Sequence, residues 1–587
     1  MARWIYKEND ADIALMAKTL DISPILCEIL ANRDIRTKNT AIKYLQPALG
    51  FMHDIGVMAG VEEAVAIIRD GIANDYRFCI YGDYDVDGVS GTVILHKTLQ
   101  SLGATSRYYI PHREREGYGL NLGAVESIAA QGDILIAVDN GITAIAEVAR
   151  AKELGLTVII IDHHEASCIE ENGKRIEQLP PADAIIDPKR KDCSYPFKEM
   201  SAAGIAYKFA KYLHTAFGVD FVEEREFLVF AAIAAFCDVV DLVDENRIIA
   251  AQGLSLLRQQ AFKNIGLNAL VKARNLEYNK IDTFDIGFII GPCINATGRL
   301  DSAELAVELF LCDDMQRAEV LAARLVELND ERKVLTAQYA EKTIEELSGS
   351  KDRVLVAFQP DMHESIAGIV AGRVKDAIHR PAIVFTKSGD IAKGSARSIE
   401  AYNVFEALQA NKELFIRFGG HKMAAGASLA MENIDVLRQR LNETCELTDE
   451  DFVPIIYVEK ELRLDEVTFE LAQSLQILAP FGKANKQPVF ATREIYTENV
   501  EIIGKSGTTL RLVFRSENGR KIRAVAFQSV DKFKDMLIKS YSEEVCEGFA
   551  VGRLRNLTIK MDIAYHIEIN TYNGNSSLQL RILDFVF

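Results

Sequence analysis

Acidic and imidazole side chains recur in the first half of the chain, each time directly after a short apolar run. In chain order the groups are Asp83, Asp85 and Asp87; Asp139; and Asp162, His163 and His164. Carboxylates mixed with imidazoles are typical ligands of Mn²⁺ and also accept Mg²⁺. Any single aspartate here could be a turn residue or a helix N-cap. The recurrence of three groups instead favours a divalent-metal site.

A parallel sheet would bring these groups together. The apolar runs are predicted as strands and cover residues 78–80, 133–138, 156–161 and 184–186. Such runs, separated by helical segments like the one predicted for residues 90–102, indicate a parallel sheet that is covered on both faces. Ligands of these sheets bind at the carboxyl ends of the strands. The acidic groups follow those ends, so we expect one shared site.

The expected chemistry is phosphoryl hydrolysis with two metal ions. Two divalent ions about 3.5–4 Å apart, sharing a carboxylate, activate water and stabilise the charge of an in-line displacement at phosphorus. Asp139 is a reasonable shared ligand. Asp238, at the end of a predicted buried helix over residues 227–237, is a further candidate, although it could be only a terminal turn residue.

Composition sets the class of protein. A chain of 587 residues is expected to hold several domains, and 49% hydrophobic with 26% charged residues is typical of globular proteins. Nine cysteines without a Cys-x-x-Cys pair argue against a disulfide framework and a zinc ribbon. The net charge of −18 does not exclude nucleic acid, because residues 491–587 are slightly basic. The charged start and the short apolar runs predict a cytoplasmic protein without a membrane span.

The fold class is predicted to be α/β with a β-barrel at the C-terminal end. A long charged helix, residues 313–347, is expected as a connector, and a second strand-rich region begins at residues 354–357. Five β-type runs near residues 500–503, 510–514, 522–527, 549–554 and the end of the chain indicate a small barrel of the oligonucleotide/oligosaccharide-binding (OB) type. The predicted domains are 1–60 (helical cap), 61–280 (catalytic), 281–347 (connector), 348–446 (substrate-binding) and 454–587 (barrel).

Cations beside glycines offer phosphate contacts. In residues 394–398 and 419–422, glycines would let backbone N–H groups approach an anion while arginine grips it. Arg113 and Arg299 are candidates for a strand end or a nearby phosphate, although Arg299 could instead pair with Asp301. The barrel cations could follow a nucleic-acid backbone or form only a solvated face; they are Arg511, Arg515, Lys521 and Arg523.

The motifs at residues 82–88 (Gly-Asp-Tyr-Asp-Val-Asp-Gly), 139–141 (Asp-Asn-Gly) and 162–164 (Asp-His-His) resemble those of the DHH phosphoesterase superfamily. Further segments are similar to the RecJ family of single-strand-specific exonucleases; they lie at residues 111–120, 238–240, 291–299, 394–398, 418–426 and 480–482. Residues 362–364 (Met-His-Glu) stand where that family usually has Trp-His-x-Gly, and Cys293 stands where arginine is common. The resemblance covers residue 60 to the end of the chain.

The resemblance implies roles for single residues. The metal ligands would be Asp85, Asp87, Asp139, His163 and Asp238. His164 would contact the scissile phosphate, with Asp83 and Asp162 close by as further catalytic residues. The expected strand-binding residues are Arg113, Tyr118, Asn295, Arg299, Arg373, Ser395, Arg397, Ser398, Gly420 and His421.

The resemblance also implies an activity. The expected enzyme removes nucleotides from single-stranded DNA in the 5′→3′ direction during repair and recombination, with Mn²⁺ or Mg²⁺ in a DHH domain and strand binding in a DHHA1 domain. Family analogy adds a single-strand-binding protein and a RecQ-type helicase as partners. One alternative is a DHH phosphodiesterase acting on short oligonucleotides or cyclic dinucleotides. The other is an inactive relative that only binds DNA.

Overall fold

A five-stranded parallel sheet forms the centre of the first α/β region in the computed structural model, which describes residues 2–171, 174–540, 553–555, 558–572 and 574–587. In spatial order the strands are Thr105–Tyr109, Arg77–Tyr81, Ile134–Val138, Thr157–Ile161 and Ala184–Ile186. The four strands predicted from apolar runs are confirmed. Thr105–Tyr109 was not predicted, because it lies at the edge of the sheet and most of its side chains are only half-buried.

The helices of this region pack around the sheet and beyond it. They are Val61–Ala73, Val86–Ser101, Leu122–Ala129, Ile145–Glu153, Ala202–Phe217, Glu224–Cys237, Asp244–Arg258, Ile265–Ala273, Gly291–Leu300 and Glu304–Leu311. The predicted helix at 90–102 begins earlier, at Val86, because the Asp85 carboxylate accepts hydrogen bonds from the N–H groups of Asp87 (2.9 Å) and Gly88 (3.1 Å). A short hairpin, Ser167–Glu171 with Lys174–Gln178, follows the strand Thr157–Ile161.

A connector and a second α/β region follow. The predicted long helix is confirmed as Met315–Leu347, 33 residues. The second sheet has the order Phe415–His421, Ala424–Ala430, Ile391–Arg397, Ala382–Ser388, Leu355–Phe358, and only the last pair is parallel. Its helices are Ala367–Ile378, Val404–Gln409 and Asn433–Glu443. Both α/β regions belong to one compact unit, residues 47–447 with 482–485.

The other compact unit joins residues 1–46 to residues 448–481 and 486–587. A five-stranded sheet closes on itself here, which confirms the OB-like barrel; its strands are Phe490–Ile503, Thr509–Arg515, Lys521–Ala526, Asn575–Val586 and Lys560–Tyr572. Strand Arg553–Arg555 pairs with the first of these. Most of the predicted run at 549–554 lies outside the described residues.

The start of the chain packs on the barrel. The strand Arg3–Tyr6 pairs in parallel with Ile455–Val458, and residues of the helices Ile13–Leu20, Pro24–Ala31 and Lys38–Leu45 join the barrel core. The helices Phe469–Leu475 and Val530–Ser540 complete this unit. The bounds of the five predicted domains remain predictions. Among the described residues, every helix is too short or too polar to cross a bilayer.

Candidate metal centre and phosphate pocket

Strand register places the acidic groups side by side. Tyr81 lies beside Ala137, and Val138 beside Ile161, so these strands end at the same level. Three sets of ligand atoms within 4.8 Å of one another result: Asp83, Asp85 and Asp139; Asp87, His163 and Asp238; and Asp139, His163 and His164. The side chains expected to bind metal are thus brought together, and Asp139 and His163 each belong to two sets.

His163 lies at the centre of the cluster. Its Nε2 is 3.2 Å from Asp139 Oδ1, 3.7 Å from Asp87 Oδ2 and 3.8 Å from Asp238 Oδ2. Burial lowers the pKa of His163 to about 3, so the ring is neutral at physiological pH and offers a lone pair. Within the described part of the chain, His163 Nε2 and Asp83 Oδ1 are buried atoms without a hydrogen-bond partner. A cation would satisfy both.

The carboxylates also need a cation. Burial, reinforced by neighbouring carboxylates, raises the pKa of Asp83, Asp87 and Asp139 well above the ordinary value. Burial and the Asp85 charge raise the pKa of Asp238 to about 7. Like charges this close cannot all be ionised unless an opposite charge lies among them. The oxygen-rich donor set with one imidazole fits Mn²⁺ or Mg²⁺.

Local structure fixes the individual ligands. The N-terminus of the helix Ala202–Phe217 holds Asp87, since the N–H groups of Ala202 (2.7 Å) and Ala203 (2.8 Å) donate to its two oxygens. Asp139 has the left-handed backbone conformation, φ 63°, which aspartate tolerates better than most residues. Asp238 ends the helix Glu224–Cys237, and the next residue, Val239, has φ 56°. A left-handed valine is strained, so the surrounding structure must enforce this turn.

The Asp162 carboxylate accepts hydrogen bonds and belongs to none of the three ligand sets. Its Oδ1 accepts from the His164 ring at 2.7 Å and from the His163 backbone at 2.8 Å, and its Oδ2 accepts from Ile142 N at 3.0 Å. Burial opposes the charge of His164, but the bond to Asp162 outweighs it and raises the pKa of His164 to about 9. Asp162 therefore orients and charges His164, which is half-exposed and can face an anion.

Asp187 was missed by the sequence reasoning. It follows the strand Ala184–Ile186 directly, so the rule that found the other aspartates would also have found it. Its side chain is fully buried, and burial together with the Asp162 charge raises its pKa to about 8. It belongs to none of the three ligand sets.

A cavity of about 550 Å³ adjoins the cluster. Tyr84, between Asp83 and Asp85, forms part of its wall, and the second α/β region forms the opposite wall. The expected strand-binding residues that line it are Arg113, Tyr118, Arg299, Ser395 and Arg397. Four further lining residues were not predicted from the sequence: Ser365, Lys393, Arg417 and Phe418. Phe418 begins the glycine-rich segment 418–426, and Arg417 directly precedes it.

The arginines of the cavity are poised for an external anion. Among the described residues, no carboxylate oxygen lies within 4 Å of Arg113, Arg299 or Arg397, whereas many other arginines of this acidic chain have such a partner. Asp301, the alternative partner considered for Arg299, pairs with Arg324 at 2.9 Å instead. Burial, with the like charge of Arg113, lowers the pKa of Arg299 to about 9. A phosphate would relieve this repulsion.

The remaining expected strand-binding residues lie elsewhere. Asn295 Oδ1 accepts from Val86 N at 3.2 Å and so supports the metal motif. Ser398 is buried and donates to Tyr402 O at 2.7 Å, and His421 Nδ1 accepts from Met423 N at 3.2 Å, so both stabilise turns. Gly420 (φ 147°) lies next to His421 at the end of the strand Phe415–His421, and Arg373 is exposed outside the cavity wall. Their roles in strand binding remain predictions.

Gly88 offers a test of the metal motif. A Cβ at this position would lie 2.5 Å from Asp83 N and 2.6 Å from Asp83 Cα. Gly88→Ala must therefore displace the Asp83 backbone, and we expect a loss of stability of about 1–3 kcal/mol and weaker Mn²⁺ binding by calorimetry. Gly287→Ala is the control, because no atom lies within 4 Å of its Cβ. Unchanged Mn²⁺ affinity in Gly88→Ala would contradict the proposed packing.

Comparisons with known proteins agree with this geometry. The DHH family N-terminal domain matches residues 77–234, the DHHA1 domain residues 351–447, and the RecJ OB domain residues 458–584. The single-stranded-DNA-specific exonuclease RecJ of Bacillus subtilis (strain 168) is 35% identical over 593 residues, covering 99% of this chain and 70% of the relative.

Solved structures are similar over the whole chain. The crystal structure of Thermus thermophilus RecJ with Mn²⁺ matches with a TM-score of 0.81 at 25% identity, covering 100% of this chain and 79% of the other. The Mg²⁺ complex of that protein has the same fold, with a TM-score of 0.75 at 23% identity and coverage of 99% and 78%. From the extent of these matches and the 35% identity to the Bacillus protein, the chain belongs to the RecJ family of single-stranded-DNA-specific exonucleases.

Proposed function

We propose that this protein is a metal-dependent exonuclease that degrades single-stranded DNA to mononucleotides from the 5′ end. The observation that carries the proposal is the cavity whose arginines have no carboxylate partner among the described residues, directly beside a buried cluster of carboxylates and imidazoles. One site would hold cations and the other an anion, which is what cleavage of a phosphodiester strand requires. Membership of the RecJ family supports the choice of substrate.

The chain would hold Mn²⁺ or Mg²⁺ through Asp85, Asp87, Asp139, His163 and Asp238, with Asp83 completing one ligand set. When bound, two such ions activate water and stabilise negative charge at phosphorus. His164, kept charged by Asp162, is half-exposed and would face the scissile phosphate. Tyr118 supports this ring, because its hydroxyl lies 3.3 Å from the His164 nitrogens.

The cavity would orient the strand. Arg299 and Arg397 approach it from the two α/β regions, so a phosphate between them would be gripped from both sides. Arginine forms paired hydrogen bonds to phosphate, and a water-poor cavity strengthens them. The barrel cations would contribute less to strand binding, since Arg511, Arg515 and Lys521 already pair with Glu501 or Glu498. Arg523 lines a pocket of the barrel, and among the described residues it forms no ion pair with a glutamate.

An end-labelled digestion tests the proposal. We expect Mn²⁺-dependent release of 5′-labelled mononucleotides from long single strands, slower action on duplex DNA, and no action in EDTA. A preference for di- or trinucleotides would instead favour the oligonucleotide phosphodiesterase alternative. Strand binding without any cleavage in Mn²⁺ would favour an inactive binding protein.

Cellular context follows from the family and is proposed with the activity. A cytoplasmic enzyme of DNA repair would meet single strands covered by a single-strand-binding protein or produced by a RecQ-type helicase. Pull-down of each purified partner with this protein tests these two contacts; failure of both at physiological salt would reject them.

A further inference from the structure

A strap of the first α/β region, residues 111–119, links the metal centre to the phosphate pocket. Glu116 fixes its fold, since the Glu116 carboxylate accepts from Tyr109 Oη of the preceding strand at 2.6 Å and from His112 N at 2.7 Å. Gly117 and Gly119 have φ values of 84° and 82°, which only glycine adopts at low cost. The strap is therefore a built turn, with side chains that point to defined places.

Two strap residues reach the proposed substrate site. The Tyr118 hydroxyl donates to the Asp139 carbonyl at 3.2 Å, beside His164. The Arg113 guanidinium lies over the Tyr84 ring, 4.9 Å from its centroid, and lines the cavity. Arg113 follows the strap close to Glu114, whereas Tyr118 is held separately by its bond to the Asp139 carbonyl.

A third strap residue contacts the second α/β region. Glu114 Oε1 lies 2.9 Å from His363 Nε2, and both side chains are 38% exposed. His363 Nδ1 lies 2.7 Å from Ser365 Oγ, and the Ser365 carbonyl accepts from Arg299 Nη1 at 2.6 Å. A continuous series of polar contacts thus runs from the strap to Arg299.

The same glutamate lines the arginine cavity. A free carboxylate in this position would repel the phosphate that the arginines attract, and like charges brought together at a binding site are costly. In the structure this carboxylate instead lies 2.9 Å from His363 Nε2, on the side of the second region. His363 therefore has two effects, on the position of the strap and on the field inside the cavity.

We propose that His363 and Glu114 form a latch that positions Arg113 and Arg299 and keeps the Glu114 charge away from the strand phosphate. The proposal rests on the proposed function, because it takes the cavity occupant to be a strand phosphate. Neither residue needs to touch the reacting atoms. The latch should therefore change strand affinity far more than the cleavage rate.

The test measures affinity and turnover separately. In EDTA, the dissociation constant of a fluorescent 5′-phosphorylated single strand is expected to rise about tenfold in His363→Ala, with the defect shrinking at high salt as repulsion is screened. Turnover at saturating strand in Mn²⁺ is expected to stay within about twofold of wild type, since the latch contributes before chemistry. Glu126→Gln, in an exposed pair with Arg150, is the control and should change neither value.

The double variant distinguishes a latch from simple damage. Adding Glu114→Gln to His363→Ala removes the uncompensated carboxylate, so at least about threefold of the lost affinity should return. A double variant that binds no better than His363→Ala, or a loss of turnover at unchanged affinity, would overturn the latch. Wild type that binds the strand in EDTA but releases no nucleotide in Mn²⁺ would reject the proposed function while the affinity measurements still decide the latch.

Discussion

Replacing Asp139 with asparagine is expected to lower the rate of single-strand cleavage by about 10³-fold, the usual cost of removing one preorganised charged group at a reacting phosphate. Asp139 belongs to two of the three ligand sets, so its charge would serve both metal positions. Asparagine is the informative substitute because Asp139 has φ 63°, which asparagine tolerates and alanine does not. Single-turnover digestion in Mn²⁺ measures the effect.

The same substitution should stabilise the metal-free protein. The folded-state pKa of Asp139 is raised, so its ionised form costs stability at every pH above the unfolded value near 4. Removing the charge at pH 7 should raise the melting temperature in EDTA by roughly 2–4 °C for each kcal/mol gained. The difference in melting temperature between Asp139→Asn and wild type should become smaller as the pH falls toward 4, where the aspartate of the unfolded chain also becomes protonated.

Added metal should reverse the order of the two melting temperatures, so that wild type becomes the more stable protein. Mn²⁺ is expected to raise the melting temperature of wild type more than that of Asp139→Asn, because binding to the folded state is weaker in the variant. Asp133→Asn is a matched control at the opposite end of the same strand, where the aspartate pairs with Arg77 at 3.0 Å. It should cleave normally. Near-normal cleavage by Asp139→Asn would contradict the shared-ligand role.

The sequence predicted most of the metal cluster because one rule sufficed for the residues that follow strands; Asp238, which follows a helix, lies outside that rule. Aspartates after apolar strands lie at one edge of a parallel sheet, and the register of the strands then brings them together. Asp187 obeys the same rule but was not predicted, because unlike Asp139 it lies in none of the motifs at residues 82–88, 139–141 and 162–164. The predicted α/β fold class followed from the same apolar runs, which alternate with helical segments along the chain.

Contacts between distant segments were beyond such rules. Nothing near Arg3–Tyr6 in the sequence indicates that this strand pairs with Ile455–Val458, and nothing near Glu114 indicates His363. The barrel cations show the same limit, because Lys521 and Arg515 look available in sequence but share Glu498 in space. An arginine or lysine that already forms an ion pair is less available to a ligand, and the fold determines which ion pairs form.

Replacing Arg299 with glutamine is expected to raise the KM for single-stranded DNA by about 10–100-fold, because a hydrogen bond to a charged group contributes about 1.5–3 kcal/mol. Glutamine keeps the methylene stem and a neutral amide donor, but its side chain is two bonds shorter and does not reach the Ser365 carbonyl that accepts from Arg299 Nη1 at 2.6 Å. The loss would therefore report the missing charge together with this bond. Turnover at saturating strand should fall much less than KM rises.

Salt dependence separates a phosphate contact from a structural role. Each cation that neutralises a phosphate of a single strand contributes about 0.7 to the slope of log affinity against log salt. Arg299→Gln should lower that slope by roughly this amount, whereas Arg324→Gln should leave it unchanged, since Arg324 pairs with Asp301 and Glu327 outside the cavity. If both variants weaken binding with the wild-type slope, Arg299 supports the fold and the strand phosphate lies elsewhere. If the slope falls by about 0.7 only in Arg299→Gln, the Arg299 guanidinium of wild type binds the strand backbone directly.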